Sequence, residues 1–308
     1  KVINTYEKLY GIDFPAENLV GWDQYFQSGA VPVFILLSAL LFGSVIIPFD
    51  RQSGAMALVR STKKGRLPTV AGKLGALFIL CVGVVLLFSL ASLAIVYFRC
   101  GLTGWSFPVQ MIDKFAVSPY ITTVGGAFAI NLLVRLFAAF VFALIVAALS
   151  CFIKNQVQLY GAGLALLIIG FAIEKMSFLN AYNPVKQLNI MSAADGVKIF
   201  KAWQGIKLFD RCYSYVAALI IVYLIIAAAA VAACLVLFPK LSPQVEQSGK
   251  WLAKLHLPEL HLRRHYRAAI FPHEAKKLIG LPLIIILCLF TAFGLYLTAE
   301  KFVPDNSY

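Results

Sequence analysis

Six stretches of this chain, residues 31–49, 74–98, 131–153, 159–173, 213–238 and 278–298, are nearly unbroken runs of apolar side chains. A run of about 20 such residues has the length of a helix that crosses the hydrocarbon core of a bilayer. In water each run would need protein on every side of it. The composition leaves too little polar surface for that: 61% of the 308 residues are hydrophobic and 13% charged, with a mean hydropathy of +0.83. Soluble domains are about 45–50% apolar and about 25% charged. In lipid a spanning segment must satisfy its backbone polar groups internally, which for runs of this length means helix. The reading is an all-α, polytopic transmembrane helix bundle of about six spans, with short amphipathic interfacial helices.

The formal net charge of +13 lies between the runs. No basic patch carries interleaved aromatic residues, so a membrane surface accounts for the charge and nucleic acid is not expected as a partner. Cytoplasmic connections carry the excess of Lys and Arg. The first connection holds Arg51, Arg60, Lys63, Lys64, Arg66 and Lys73 against Asp50, and the fifth holds a long basic stretch, so both are read as cytoplasmic with the short turn at Lys154. Residues 1–30, 99–123 and 177–212 then lie outside, although Lys186, Lys198, Lys201, Lys207 and Arg211 make the last of these basic. The chain opens on Lys1 and closes in loop-like sequence, and the expectation is that both ends are cut from a longer protein, with a helix before Lys1. Most of the six cysteines sit in or beside apolar runs as small hydrophobes, and Cys100 and Cys212 are the one pair whose placement allows an outer disulfide.

Within the runs the middles hold no Asp or Glu. Ion-coupled transporters commonly carry an acid at membrane depth, and channels a filter or a ring of charge. Arg135 is the one clear charge inside a run. It reads either as an interfacial arginine whose long side chain snorkels outward or as a contact along a transport path. Residues 65–73, GRLPTVAGK, have six residues between the glycines where a phosphate-binding loop has four, and Leu74 follows where Ser or Thr is required. His256, His261, His265 and His273 lie together, but without an HExxH glutamate or a nearby cysteine they form no metal site. No catalytic, cofactor-binding or metal-binding residue is assigned, and the chain is read as not an enzyme.

Residues 49–73, FDRQSGAMALVRSTKKGRLPTVAGK, read as a short helix starting at Ser53 and ending near Ser61–Thr62, a basic turn at Gly65, and a return into the membrane with Thr69 as the next N-cap. On composition alone this is an ordinary cytoplasmic loop. Its pattern of Asp50, Gly54, Arg60-Ser61, Gly65-Arg66 and Lys73 resembles the loop between the second and third helices of ABC-2 type (type V) exporter permeases. Asp50 replaces a frequent Glu, and Lys63-Lys64 a frequent Pro. The turn at 150–155 resembles the Ser-x-x-x-Lys-Asn turn between the family's fourth and fifth helices. His273-Glu274 and Lys277 before the last run resemble the elbow that opens the family's first helix.

The resemblance implies that residues 31–238 are helices two to six of a first permease unit. It implies a coupling loop at 50–72 and an outer helical loop at 178–212. Residues 239–277 would be a basic cytoplasmic linker with an elbow, 278–298 the first helix of a second unit, and 299–308 the start of an outer loop. It further implies that Arg51, Gly54, Met56, Val59, Arg60, Lys63, Lys64, Gly65 and Arg66 dock on a separate ABC ATPase subunit. ATP and magnesium would sit on that partner and no cofactor in this chain. The second permease unit, in the same chain or in a homologous subunit, would complete the path.

In the outer loop, Ser192 and Asp195 form a capping-box-like start. Val197, Phe200 and Trp203 recur every three residues, as on one face of an amphipathic helix. They read as a structural lid or as an outer gate. The expected function is thus an exporter permease in a bacterial plasma membrane. The alternatives are a membrane sensor or scaffold and an ion-coupled transporter without an ATPase.

Overall fold

The computed structural model describes residues 19–27, 29–48, 66–153, 155–176, 183–201, 205–208 and 211–238, with four isolated positions between 288 and 295. Among the described residues, five segments are long and apolar enough to cross a membrane: Val20–Ile46, Pro68–Cys100, Val124–Phe152, Gln156–Lys175 and Tyr215–Leu237. They pack as an all-α bundle, and the protein is a multi-pass membrane protein. The sixth expected run, 278–298, the segment 239–277 and residues 299–308 lie outside the described residues, apart from those isolated positions.

The first span is two helices, α1 (Val20–Gln27) and α2 (Ala30–Ile46). Then come α3 (Arg66–Cys100), α4 (Val124–Phe152) and α5 (Gln156–Lys175). Two short helices, α6 (Pro184–Gln187) and α7 (Ile190–Asp195), precede α8 (Tyr215–Leu237). At 1.5 Å per residue, the 35-residue α3 is about 52 Å long and outreaches the roughly 30 Å hydrocarbon core.

Polar side chains set several helix starts. Thr123 Oγ1 accepts from Gly126 N at α4, Asn155 accepts from Val157 N at α5, and Asn183 and Asn189 do the same at α6 and α7. Asn155 is thus what the 150–155 turn supplies: the cap that restarts the chain just after α4 ends. Thr69 is not a cap, because α3 already runs from Arg66, with Pro68 in the first turn where its missing N–H costs nothing. Ser192 is not a cap either. Asn189 starts α7, and Gly196 ends it in the left-handed conformation, φ +67°. A 3₁₀ turn over Val197–Phe200 replaces the continuous amphipathic helix expected there.

The segment between α7 and α8 also holds a two-stranded antiparallel hairpin that periodicity did not indicate, β1 (Gly205–Leu208) with β2 (Arg211–Ser214), Gly205 facing Ser214 and Leu208 facing Arg211. It leads directly into α8.

The bundle is built around α2 and α4, which cross closely. A Cβ on Gly43 would stand 2.7 Å from Ala143 O and 3.0 Å from Val146 Cβ. Small residues at such crossings let backbones approach, which is how helices gain packing in a solvent as apolar as themselves. The outward faces of α3, α5 and α8 keep Leu86, Leu87, Ile168, Ile169, Leu224 and Ile225 exposed, as lipid contact requires.

Candidate functional site

Two polar features of the bundle have geometry that goes beyond packing. The first is beneath α1. This helix lies mostly in sequence that reads as outer loop, yet it buries Trp22, Tyr25 and Phe26. Trp22 Nε1 donates to Thr103 O at 2.9 Å, and its ring meets Trp105 edge-on at 4.6 Å. Phe26 meets Phe115 at 5.1 Å. These contacts fix Tyr25 over α4, where Arg135 Nη1 donates to the phenolic oxygen at 3.2 Å.

Arg135 is 1% exposed, so it does not snorkel. It lies eleven residues into α4, about 16 Å along the axis from its start. An outward reach is closed off by the α1 aromatics. A lone guanidinium would be costly at this depth, and Tyr25 offers it both a hydroxyl and a ring face, with the guanidinium carbon 5.7 Å from the ring centroid. Its Nε has no hydrogen-bond partner among the described residues, nor have the buried side-chain oxygens of Asn131 and Ser92.

The second feature is a cleft of about 240 Å³ at the end of the bundle where α1 and α7 lie, open to the surroundings. One wall is the α1–α2 elbow, with Phe26, Gln27 and Val33. Another is the end of α5, with Phe171, Glu174 and Lys175. The third is α7 and the 3₁₀ turn after it, with Met191, Asp195 and Lys201, and Lys114 enters from the loop after α3. Lys198 bridges Glu174 and Ser192 Oγ, which ties α7 and the 3₁₀ turn after it to the end of α5.

Asp195 is held by its backbone: Asn131 Nδ2 donates to its carbonyl at 3.1 Å, below Gly196. Burial raises the pKa of its carboxyl above the usual value, with Glu174 adding to the rise, and the cations Arg135, Lys198 and Lys201 only partly offset it. Burial likewise lowers the pKa of Lys114, helped by Lys201 and opposed by Asp23 and Asp195.

Of the expected gate residues, Val197 lines the cleft and Phe200 is buried against Phe115 at 5.7 Å. Trp203 lies outside the described residues. Of the coupling set, Arg66 is the first described residue of α3, while Arg51, Gly54, Met56, Val59, Arg60, Lys63, Lys64 and Gly65, with the short helix expected over 53–61, lie outside the described residues.

One described contact joins the two ends of that connection. Lys73 is buried, and its Nζ donates to Ile46 O at 2.9 Å. Ile46 is the last residue of α2, so the lysine meets one of the carbonyls that a helix end leaves unpaired, at the negative end of the helix dipole.

Cys100, exposed at the C-terminal end of α3, is a free thiol whose Sγ lies 3.0 Å from Gln24 Oε1, so the disulfide with Cys212 is not formed. Among the described residues no group of His, Cys, Asp and Glu could hold a metal ion. Comparison with known protein families, with curated proteins and with solved structures gives no match for this chain.

Proposed function

We propose that the chain is the permease part of an exporter in a bacterial plasma membrane, driven by a separate ATP-hydrolysing subunit that docks on residues 50–72. The supporting observation is the Lys73–Ile46 contact. It ties the end of α2 to the start of α3 across the base of the connection that resembles a coupling loop. A push on that connection then reaches two spans together. The second unit of the path comes from the same protein or from a homologous subunit.

Co-purification of the full-length protein with an ATP-binding subunit tests this, with Arg60, Lys63, Lys64 and Arg66 reversed in charge together. Loss of the ATPase on charge reversal supports docking there. Lys73→Met is expected to keep the ATPase bound while uncoupling its turnover from transport, with Lys73→Arg restoring coupling. Failure of any ATPase to bind under gentle conditions would sink the reading and favour a membrane sensor.

A further inference from the structure

We propose that the outer cleft is a binding site for a small apolar zwitterion of about dipeptide size, whose ammonium group meets Asp195 and whose carboxylate meets Lys201 and Lys114. The site needs only the cleft and is independent of any ATPase partner.

Opposite charges share this cavity without pairing directly. Asp195, Lys114 and Lys201 all line it, yet among the described residues neither lysine comes within ion-pair distance of Asp195 or Glu174. Glu174 does pair, with Lys198, but its Oε2 stays buried without a hydrogen-bond partner among the described residues. Long lysine side chains beside a carboxylate ordinarily close on it when nothing separates them. Here the walls that carry them stand apart, held by packing. α7 is fixed through Asn131 to the Asp195 carbonyl, and Asn189 Nδ2 donates to Gly170 O of α5. Lys114 sits in a 3₁₀ turn anchored by buried Phe115. A molecule bearing both charges completes both sets at once. One bearing a single charge leaves the other set open.

Size and lining narrow the class. A volume of about 240 Å³ is on the scale of a small molecule such as a dipeptide. Phe26, Val33, Phe171, Met191 and Val197 add apolar surface between the charged walls. That favours aliphatic side chains between the two termini over a bare polar zwitterion.

The test uses the full-length chain in phosphatidylcholine–phosphatidylglycerol nanodiscs with radiolabelled leucyl-leucine, its N-acetyl form and its C-terminal amide. Saturable binding is expected for the free dipeptide, with each capped form weaker by about tenfold or more, the worth of one charge-assisted hydrogen bond.

Asp195→Asn should weaken the free dipeptide by a similar factor and make it indifferent to N-acetylation. Lys201→Met, at an exposed position that cannot disturb the core, should make binding indifferent to amidation. Size-exclusion profiles of both variants establish that they fold. Equal binding of the capped and free forms, unchanged binding in both variants, or no saturable binding overturns the proposal. So does displacement of leucyl-leucine by glycerophosphoethanolamine at equal or lower concentration, since the cleft would then read a lipid headgroup.

Discussion

Arg135 on α4 and Tyr25 on α1 form a buried cation–phenol pair, hydrogen-bonded at 3.2 Å, that joins the α1–α2 elbow to the middle of the bundle. Tyr25→Phe leaves the guanidinium without that acceptor and is expected to cost about 1–3 kcal/mol. Arg135→Met in the Tyr25→Phe background should recover most of the loss, because replacing both partners by apolar groups removes the desolvation penalty along with the bond. A double-mutant cycle read by denaturant titration in lipid gives the coupling directly. Additive effects would show that the pair is not coupled.

The α2–α4 crossing makes a sharper prediction. Gly43→Val pushes side-chain atoms into Ala143 O and Val146 and should cost about 1–3 kcal/mol by overpacking. Gly83 is also in a helix, but a Cβ there meets nothing within 4 Å. Gly83→Ala should therefore be neutral or stabilising by up to about 1 kcal/mol. Thermal unfolding of the two variants side by side separates crossing from helix propensity.

The five described spans were legible because apolar run length is a local property: the 31–49 run corresponds to α2 and the 159–173 run to α5. The helix starts were less so, since Thr69 and Ser192 read as caps while Asn155 and Asn189 do the capping. α4 begins at Val124, seven residues before the apolar run at 131, because Gly125 and Gly126 dilute the signal there while Thr123 still caps it. What escaped the sequence depends on partners far along the chain. α1 holds its aromatics among polar residues, and only Thr103, Trp105 and Phe115 explain their burial. Arg135 reads as interfacial until α1 is seen to cover it. The cleft joins residues from Phe26 to Lys201 and has no local signature. Lys73 carries a charge that suggests exposure, whereas the end of α2 draws it inside.

Asp195 should give stability a pH dependence. Its carboxyl, raised in pKa by burial, binds a proton more readily in the folded state than in the unfolded one, where the usual value is about 3.9. Stability therefore falls as pH climbs from that value through the folded one, and the cost is complete above it. Arg135, Lys198 and Lys201 reduce this cost, and Glu174 adds to it. Asp195→Asn should accordingly melt higher than wild type at pH 8, with the gap closing toward pH 4. A gap that widens on acidification contradicts the assignment.

Thiol labelling checks the orientation. In a Cys212→Ser background, a membrane-impermeant maleimide added to intact cells should label exposed Cys100, and Cys100→Ser should abolish most of the signal. Buried Cys81, Cys151 and Cys234 should react only after denaturation. Labelling of Cys100 only in inside-out vesicles would invert the topology.

The closeness of α2 to α4 at Gly43 also divides the molecule mechanically. Two helices with backbone against side chain and no slack can neither slide nor rotate past each other, so they form a keel. A rearrangement of the protein that keeps this seam intact has to be carried by the helices packed around it.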